Sequence, residues 1–252
     1  MKMTGNTILI TGGASGIGRR LAESFHKLGN QVIISGRRQK ALDDVTAANP
    51  GMQSLQLDIG DKAGVAAFAA KVAALHPNLN VLINNAGIMQ PEDLAMAPGN
   101  LDIAEQTIAT NLLGPIRLTS ALLPRLQAQP HAAILMVSSG LAFVPMAMTP
   151  TYCATKAAIH SYAMSLRYQL RGTKIEVLEI VPPYVQTYLM GDHQANDPNA
   201  MPLEDFNEEV MRLLSSKPDA SEVVVERCVP LRFAAENGKL DEMFQAVNSM
   251  SH

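Results

Sequence analysis

The chain has 252 residues, of which 47% are hydrophobic and 17% are charged, and its net charge is −3. A chain of this size can bury a large core, and its slight negative charge does not imply a basic face for nucleic acid, so no nucleic-acid partner is expected. Its two cysteines form neither a disulfide framework nor a metal-site spacing, so we expect no metal and a reducing, cytoplasmic location. We find no apolar run long enough to cross a membrane, so no membrane partner is expected.

Short apolar runs alternate with helical patterns along most of the chain. Strands are predicted at Thr7–Thr11, Gln31–Ser35, Ser54–Leu57, Val81–Asn84, Ala132–Val137 and Glu176–Val181. Helices are predicted at Gly16–Leu28, Ala41–Ala48, Lys62–Leu75, Leu101–Gln127 and Thr151–Arg171. Continuous apolar strands between helices indicate a parallel sheet that is covered on both faces. Right-handed crossovers then give an α/β fold, a doubly wound Rossmann-type three-layer sandwich with a central parallel sheet.

No linker, repeat or low-complexity segment divides the chain, so we expect one domain over residues 1–252. Within it, residues 188–216 are rich in Met, Asp and Pro before they turn helical, and we interpret them as a substrate-loop region. Pro115 is a candidate kink in the longest predicted helix. From Ala220 onward the pattern assigns no element.

A glycine-rich turn, TGGASGIG at residues 11–18, joins the first strand to the first helix. Gly12 allows a tight turn, Gly16 leaves room for a pyrophosphate near backbone N–H groups, and Gly18 lets the helix pack closely. The helix N-terminus then faces the phosphates. The position between a strand and a helix favours a dinucleotide site, with a purely structural turn as the alternative.

The end of the second strand distinguishes between the two nicotinamide dinucleotides. A carboxylate there would hold the ribose 2′-hydroxyl of NAD, whereas this chain carries Arg37 and Arg38. Two guanidinium groups can bind a 2′-phosphate, so NADP(H) is favoured and NAD(H) stays open. The alternative is that both arginines are solvated. Asp58, after the third strand, is a candidate acceptor for the adenine amino group, and residues 84–87 (NNAG) suit close approach to a ribose.

Tyr152 and Lys156 are four residues apart on a predicted helix and therefore share one face. A free tyrosine has a pKa of about 10, and a neighbouring cation lowers the pKa of a phenol. Ser139 lies thirteen residues before the tyrosine. The Tyr–Lys spacing alone arises often by chance. His160, one turn beyond Lys156, is interpreted as a helix-surface or interface group.

Together these motifs resemble the short-chain dehydrogenase/reductase family, in its single-domain branch. The matching segments are TGGASGIG at 11–18, NNAG at 84–87, Asn111 within TNLLG, Ser138-Ser139 and YCATK at 152–156. Further segments, including MKMT, NLNVLINNAGI and LRYQLR, resemble the DltE-type oxidoreductases within this family. One departure is Pro182-Pro183, where the family usually has Pro-Gly. The second proline removes an N–H group and restricts φ, so the loop near the nicotinamide is expected to be stiffer.

The resemblance implies an NAD(P)-dependent oxidoreductase acting on CH–OH or C=O groups. Tyr152 is then the general acid in reduction and the general base in oxidation. Lys156 lowers the pKa of the tyrosine and holds the nicotinamide ribose, while Ser139 stabilises charge on the carbonyl oxygen. Asn111 positions a water that links the lysine to solvent. Two alternatives stay open: Ser138 could face the substrate instead, and Asn111 could be only a helix-kink residue.

The motifs and the resemblance also imply a set of cofactor contacts. These are Gly12, Ser15, Gly16, Ile17, Gly18, Arg37, Arg38, Asp58, Ile59, Asn85, Ala86, Gly87, Tyr152, Lys156, Pro182, Val185 and Thr187.

Substrate walls are expected after the carboxyl ends of the strands, at Ile88–Ala97, Leu141–Thr149 and Tyr184–Met201. The side chains expected to contact substrate are Leu141, Phe143, Met146 and Tyr188. They are apolar, and no Arg or Lys cluster accompanies them, which favours a small, fairly apolar carbonyl or secondary alcohol. The alternative is that the methionines only fill the core.

Two functions stay open at this point. One is the oxidoreductase, and the other is an NADP(H)-binding redox-sensing regulator without turnover. The presence of Asn111, Ser139, Tyr152 and Lys156 favours the enzyme. The resemblance also implies a homodimer or homotetramer formed through Leu101–Gln127 and Thr151–Arg171.

Overall fold

Buried apolar runs form the strands of a parallel sheet in the computed structural model, which describes residues 1–95, 101–217 and 219–249. The described strands are β1 Thr7–Thr11, β2 Gln31–Gly36, β3 Gln53–Gln56, β4 Val81–Asn84, β5 Ala132–Val137, β6 Ile175–Val181 and β7 Glu222–Val224. Their order across the sheet is β3-β2-β1-β4-β5-β6-β7, and every neighbouring pair is parallel. The order reverses between β1 and β4, which is where ligands bind in doubly wound sheets.

The helices connect these strands. They are α1 Gly16–Lys27, α2 Gln39–Ala48, α3 Lys62–Leu75, α4 Leu101–Ile108, α5 Gly114–Gln127, α6 Pro150–Leu170, α7 Asp192–Asn196, α8 Leu203–Ser216, α9 Val229–Arg232 and α10 Leu240–Ser249. In the described part of the chain, no helix is both long and apolar enough to span a bilayer.

Alternating side chains of the strands build a core on each face of the sheet. Ile8 and Ile10 face a layer that includes Phe25 of α1 and Phe206 of α8. Leu9 faces the opposite layer, with α3, α5 and α6. Both faces are apolar, which explains why the central strands have continuous apolar sequences. The predicted three-layer α/β fold is confirmed.

The six predicted strands are present, with boundaries shifted by at most one residue. The seventh, β7, was missed because three residues are too few to show a periodicity. It pairs with β6, matching Val223 to Ile180, and so its register depends on a tertiary contact.

The longest predicted helix is instead interrupted by a wider π-type turn at Ala109–Leu113. Pro115 lies in the first turn of α5. In a regular α-helix the N–H of residue 115 would donate to the carbonyl of Asn111. A proline has no N–H, so this hydrogen bond cannot form. The predicted irregularity is therefore located just before the proline, and such turns are frequent at functional sites.

Candidate active site

The carboxyl ends of the central strands open into a cleft of about 700 Å³, a volume typical of small-molecule sites. Most of the predicted cofactor contacts line it. They are Gly12, Ser15, Gly16, Ile17, Arg37, Arg38, Asp58, Ile59, Asn85, Ala86, Gly87, Tyr152, Lys156, Pro182, Val185 and Thr187. Gly18 lies behind this surface, where its role is packing.

The glycine-rich turn is built around contacts that exclude side chains. Gly12 has a φ of +68°, and a Cβ there would lie 2.8 Å from Asn85 Nδ2. A Cβ on Gly18 would lie 2.4 Å from the Gly12 carbonyl oxygen. Both positions therefore require glycine, and the N-terminus of α1 is held open toward the cleft.

Thr11, at the end of β1, ties this turn to the segment that follows β4. Its Oγ1 accepts hydrogen bonds from the backbone N–H groups of Asn85 and Ala86, both at 3.0 Å. In return, Asn85 Nδ2 donates to the Thr11 carbonyl at 3.0 Å. Thr11 was not singled out from the sequence. The available signal was a hydroxyl residue at the last position of a buried strand.

The end of β2 presents positive charge to the cleft. Arg37 and Arg38 are exposed and line it, and neither guanidinium forms an ion pair within the described residues. The hydroxyl of Ser35, also at the cleft, is buried without a hydrogen-bond partner. Unpaired cations, an unpaired hydroxyl and the glycine-lined turn are a donor set that fits a phosphorylated dinucleotide.

Tyr152 and Lys156 lie side by side on α6, and both are buried. The lysine Nζ lies 5.6 Å from the centre of the tyrosine ring and donates to the Val137 carbonyl at 2.8 Å. Ser139, after β5, acts on Tyr152 in the sense that lowers the tyrosine pKa, whereas the Ser138 hydroxyl donates to the Ile180 carbonyl at 3.4 Å. Of the two serines, the structure therefore places Ser139 against the tyrosine.

Burial controls the charge of this pair. Burial raises the pKa of Tyr152 above its ordinary value, although the neighbouring Ser139 side chain opposes the rise. Burial also lowers the pKa of Lys156 to about 8, against the opposing effect of the Glu179 carboxylate. We predicted a lowered tyrosine pKa because of the neighbouring lysine. In this structure desolvation is the largest effect on the tyrosine pKa and raises it, so the predicted direction is wrong.

Asn111 lies in the π-type turn and is almost fully buried. Its Oδ1 accepts from the Ile88 N–H at 2.9 Å, and its Nδ2 donates to the Ile88 carbonyl at 2.8 Å. Gly87 separates it from the lysine: a Cβ there would lie 3.4 Å from Asn111 Oδ1 and 3.8 Å from Lys156 Nζ. Asn111 is therefore both part of the π-type turn and close to Lys156. Its side chain holds the segment after β4.

The predicted substrate residues separate into two groups. Tyr188 lines the cleft and is exposed, while Leu141 and Met146 pack against the cluster that contains Tyr152. Phe143 does not line the cleft. Its ring centre lies 4.7 Å from the His160 ring, and the Arg232 guanidinium lies 4.5 Å from the Phe143 ring. An arginine and a histidine hold Phe143 in a separate cluster, so its role as a substrate contact stays a prediction.

The predicted substrate segments are only partly described. Of Ile88–Ala97, residues 96–97 lie outside the described residues. Within Tyr184–Met201, Gln194 on α7 is buried and donates to the Val185 carbonyl at 2.8 Å and to Thr187 Oγ1 at 3.2 Å. Gln194 also lines the cleft, and the sequence did not identify it. Farther along residues 188–216, α8 packs in the core through Phe206.

Glu92, like Thr11 and Gln194, was not identified from the sequence. One of its carboxylate oxygens accepts from the Thr151 N–H at 3.0 Å and the other from the Thr151 hydroxyl at 2.7 Å. Thr149, at the N-cap of α6, makes no capping bond of its own. Glu92 therefore caps, from another loop, the helix that carries Tyr152 and Lys156. Since 59 residues separate the partners, no local pattern indicates this contact.

Comparison with known proteins places this site in context. The short chain dehydrogenase family profile matches residues 6–198. The chain is 39% identical, over the whole length of both proteins, to the uncharacterized oxidoreductase DltE of Bacillus subtilis. It is 32% identical to the NADP-dependent 3-hydroxy acid dehydrogenase YdfG of Shigella flexneri, over 71% of this chain and 72% of that protein. The structure of a short-chain dehydrogenase from Sphingobium yanoikuyae in complex with NADPH superposes with a TM-score of 0.79, at 25% identity and with 95% of each chain covered.

Proposed function

Because the chain belongs to the short-chain dehydrogenase/reductase family and is an NAD(P)-dependent oxidoreductase, we propose that it transfers a hydride between NADPH and a small, fairly apolar carbonyl compound. The observation that carries the proposal is the convergence of Ser139, Tyr152 and Lys156 in the cleft beside the glycine-rich turn. A dinucleotide site and a proton donor thus share one cavity.

Tyr152 is the proposed acid and base. The nicotinamide cofactor, when bound, supplies or accepts the hydride. In reduction, Tyr152 gives its phenolic proton to the carbonyl oxygen as that oxygen gains negative charge. Burial raises the pKa of the phenol and so favours the protonated form that can act as the acid. Reduction is the direction that we propose.

Ser139 and Lys156 support this proton transfer. The oxygen of Ser139 accepts from the Leu141 N–H at 3.1 Å, and its hydroxyl is the proposed donor to the substrate oxygen when a substrate is bound. Lys156 holds the nicotinamide ribose and favours the phenolate electrostatically after the proton has left. Asn111 keeps the segment after β4 in place beside the lysine.

The proposed preference for NADPH rests on Arg37 and Arg38, whose guanidinium groups can bind a 2′-phosphate in place of the carboxylate typical of NAD sites. The named YdfG relative uses NADP, which supports the same preference.

The proposed substrate class rests on the apolar side chains beside Tyr152. Met89, Leu141, Met146 and Met190 pack in one cluster with the tyrosine. Methionine side chains adapt to ligands of different shape. A neutral ketone, aldehyde or secondary alcohol therefore suits this surface better than the 3-hydroxy acid named for the YdfG relative.

The exposed apolar residues of α4 to α6 support a homodimer or homotetramer. Ile108, Leu113, Met164 and Tyr168 are each more than a third exposed, and an apolar surface of this kind is typical of an interface. We also propose a single domain over residues 1–252 and a cytoplasmic location, for which two buried free cysteines are the support.

A substrate panel tests the reaction class and the cofactor preference. Purified protein is incubated with neutral ketones, aldehydes, 3-oxo acids and the matching alcohols, and nicotinamide absorbance is followed with NADPH/NADP and with NADH/NAD. We expect reduction of neutral carbonyls with NADPH to be fastest. Turnover with NADH alone would contradict the cofactor proposal, and turnover of 3-oxo acids alone would contradict the substrate class.

A further inference from the structure

A row of ionisable side chains continues from the cleft into the protein. Tyr152, Lys156 and His160 follow one another at four-residue intervals and therefore share one face of α6. The last of them approaches Glu179 on β6, with His160 Nδ1 2.8 Å from the carboxylate. The row thus connects the cleft to a carboxylate that the sequence did not single out.

Glu179 is the unusual member of this row. It is fully buried, and its second oxygen, Oε1, has no hydrogen-bond partner. It lies opposite Met136 of β5, the residue before the carbonyl to which Lys156 donates. A buried carboxylate with a free oxygen is costly unless opposite charge compensates for it. The carboxylate of Glu179 acts electrostatically on Lys156.

The other charged groups around His160 neutralise one another. Glu222 of β7 accepts two hydrogen bonds from Arg232, which also binds Glu236, and Arg167 acts on Glu222 electrostatically. Oxygen and nitrogen atoms of His160, Glu179 and Glu222 lie within 4.8 Å of one another, a grouping that can hold a metal ion. Here the Arg232 guanidinium already occupies both oxygens of Glu222, so the cluster does not need a metal.

We propose that Glu179, fixed in place by His160, is a positioning residue that keeps the buried Lys156 cationic. The described hydrogen bond of the lysine, to the Val137 carbonyl, holds the side chain but supplies no negative charge. The Glu179 carboxylate, on the strand next to the one that carries Val137, supplies it. The consequence for catalysis rests on the proposed function, whereas the effect on the lysine charge does not.

The direct test is the titration of Lys156 by NMR in protein with 13C-labelled lysine, with the signal assigned by its absence in Lys156→Gln. Glu179→Gln removes one charge at nearly constant shape, and we expect the Lys156 midpoint to fall by about one pH unit. Glu176→Gln, on the same strand but half-exposed and paired with the N-terminus, is the matched control and should leave the midpoint unchanged. Equal midpoints in wild type and Glu179→Gln would overturn the proposal.

Two more variants separate charge from structure. Glu179→Asp keeps the charge but moves it by one methylene, so we expect the Lys156 midpoint to fall less than in Glu179→Gln. If Glu179→Gln does not fold, Glu179→Asp is used for the test. No shift in Glu179→Asp would then count against the proposal. His160→Gln retains a donor for Glu179, so the midpoint should not fall. A fall equal to that of Glu179→Gln would show a general structural effect and overturn the proposal.

The pH dependence of carbonyl reduction connects this inference to catalysis. If Lys156 must be cationic, the alkaline limb of kcat/KM should move to lower pH in Glu179→Gln and stay in place in Glu176→Gln. The alkaline limb of kcat/KM could stay in place in Glu179→Gln while the Lys156 midpoint measured by NMR falls. That result would contradict the role of Glu179 in catalysis but would support its effect on the lysine charge. Absence of turnover in every variant, including wild type, would contradict the proposed function alone.

Discussion

Among single residues, the buried pair Tyr152 and Lys156 shows how desolvation competes with electrostatic attraction. Tyr152 and Lys156 are neighbours, and attraction between a phenolate and an ammonium would favour both charged forms. Their burial favours both neutral forms, and it dominates the pKa of each group. Burying a charged lysine lowers the free energy of unfolding, and the catalytic use of the lysine explains why it is kept.

Replacing Lys156 should therefore stabilise the protein while it abolishes turnover. The fall of the Lys156 pKa from 10.5 to about 8 corresponds to a cost of about 3 kcal/mol for its charged form, and the hydrogen bond to Val137 returns about 1 kcal/mol. Lys156→Met should then raise the free energy of unfolding at pH 7 by about 1–2 kcal/mol, measured by urea denaturation without cofactor.

The pH dependence of that difference has a definite sign. Between about pH 8 and pH 10 the unfolded chain still binds the lysine proton and the folded protein does not, so raising the pH stabilises wild type. The advantage of Lys156→Met should consequently shrink over this range. A variant that is less stable than wild type at pH 7, or an advantage that grows with pH, would contradict the account.

The two arginines after β2 carry the prediction about cofactor choice. Arg37→Gln and Arg38→Gln should each raise the KM for NADPH about 10-fold or more, because a charge-assisted hydrogen bond to a 2′-phosphate contributes about 1.5–3 kcal/mol. The KM for NADH should change by less than about 3-fold. Arg212→Gln, at an exposed site on α8, is the control. An equal increase in the KM for NADPH and for NADH would show that these arginines do not bind the 2′-phosphate.

At the scale of elements, the catalytic helix depends on a loop to which it is not adjacent in sequence. The Glu92 carboxylate binds Thr151 at the start of α6, and the Glu92 N–H donates to the Met148 carbonyl at 2.9 Å. The loop after β4 and the segment before α6 are thereby joined, and both border the cleft. A change at Glu92 should move Tyr152 without touching the cofactor site.

We expect Glu92→Ala to lower the free energy of unfolding by about 1–2 kcal/mol, the usual effect of losing a helix cap. It should lower kcat more than it weakens NADPH binding, because α6 carries the acid and most of the cofactor cleft lies elsewhere. Asp93→Ala removes the adjacent carboxylate, which accepts from the Ala95 N–H at 3.0 Å and does not contact α6 within the described residues, and is the control. Equal effects of the two substitutions, by thermal denaturation and steady-state kinetics, would refute the capping role.

For the whole molecule, the exposed apolar face of α4 to α6 predicts the assembly. Light scattering should give two or four times the chain mass of 27.1 kDa. Met164→Glu, a charge introduced at a half-exposed position of α6, should shift the protein toward monomer. Leu75→Glu, equally exposed at the end of α3, should not. A monomeric wild type would contradict the prediction.

Local patterns were sufficient for the sheet, the glycine-rich turn and the Tyr–Lys pair, since strand periodicity, turn chemistry and helical spacing depend on neighbours in sequence. They were insufficient where distant residues meet. Glu92 with Thr151, His160 with Glu179, and Phe143 with Arg232 are each contacts between separate elements. The strand β7 and the direction of the Tyr152 pKa shift likewise depend on packing, which no window of sequence contains.

The central claim is that Tyr152 transfers the proton in hydride transfer, and Tyr152→Phe tests it most directly. The variant lacks only the hydroxyl, so NADPH should bind with unchanged affinity, measured by fluorescence titration, while carbonyl reduction falls by about 100-fold or more. A redox-sensing regulator would have no turnover to lose. Tyr152→Phe that reduces the carbonyl as fast as wild type would contradict the account.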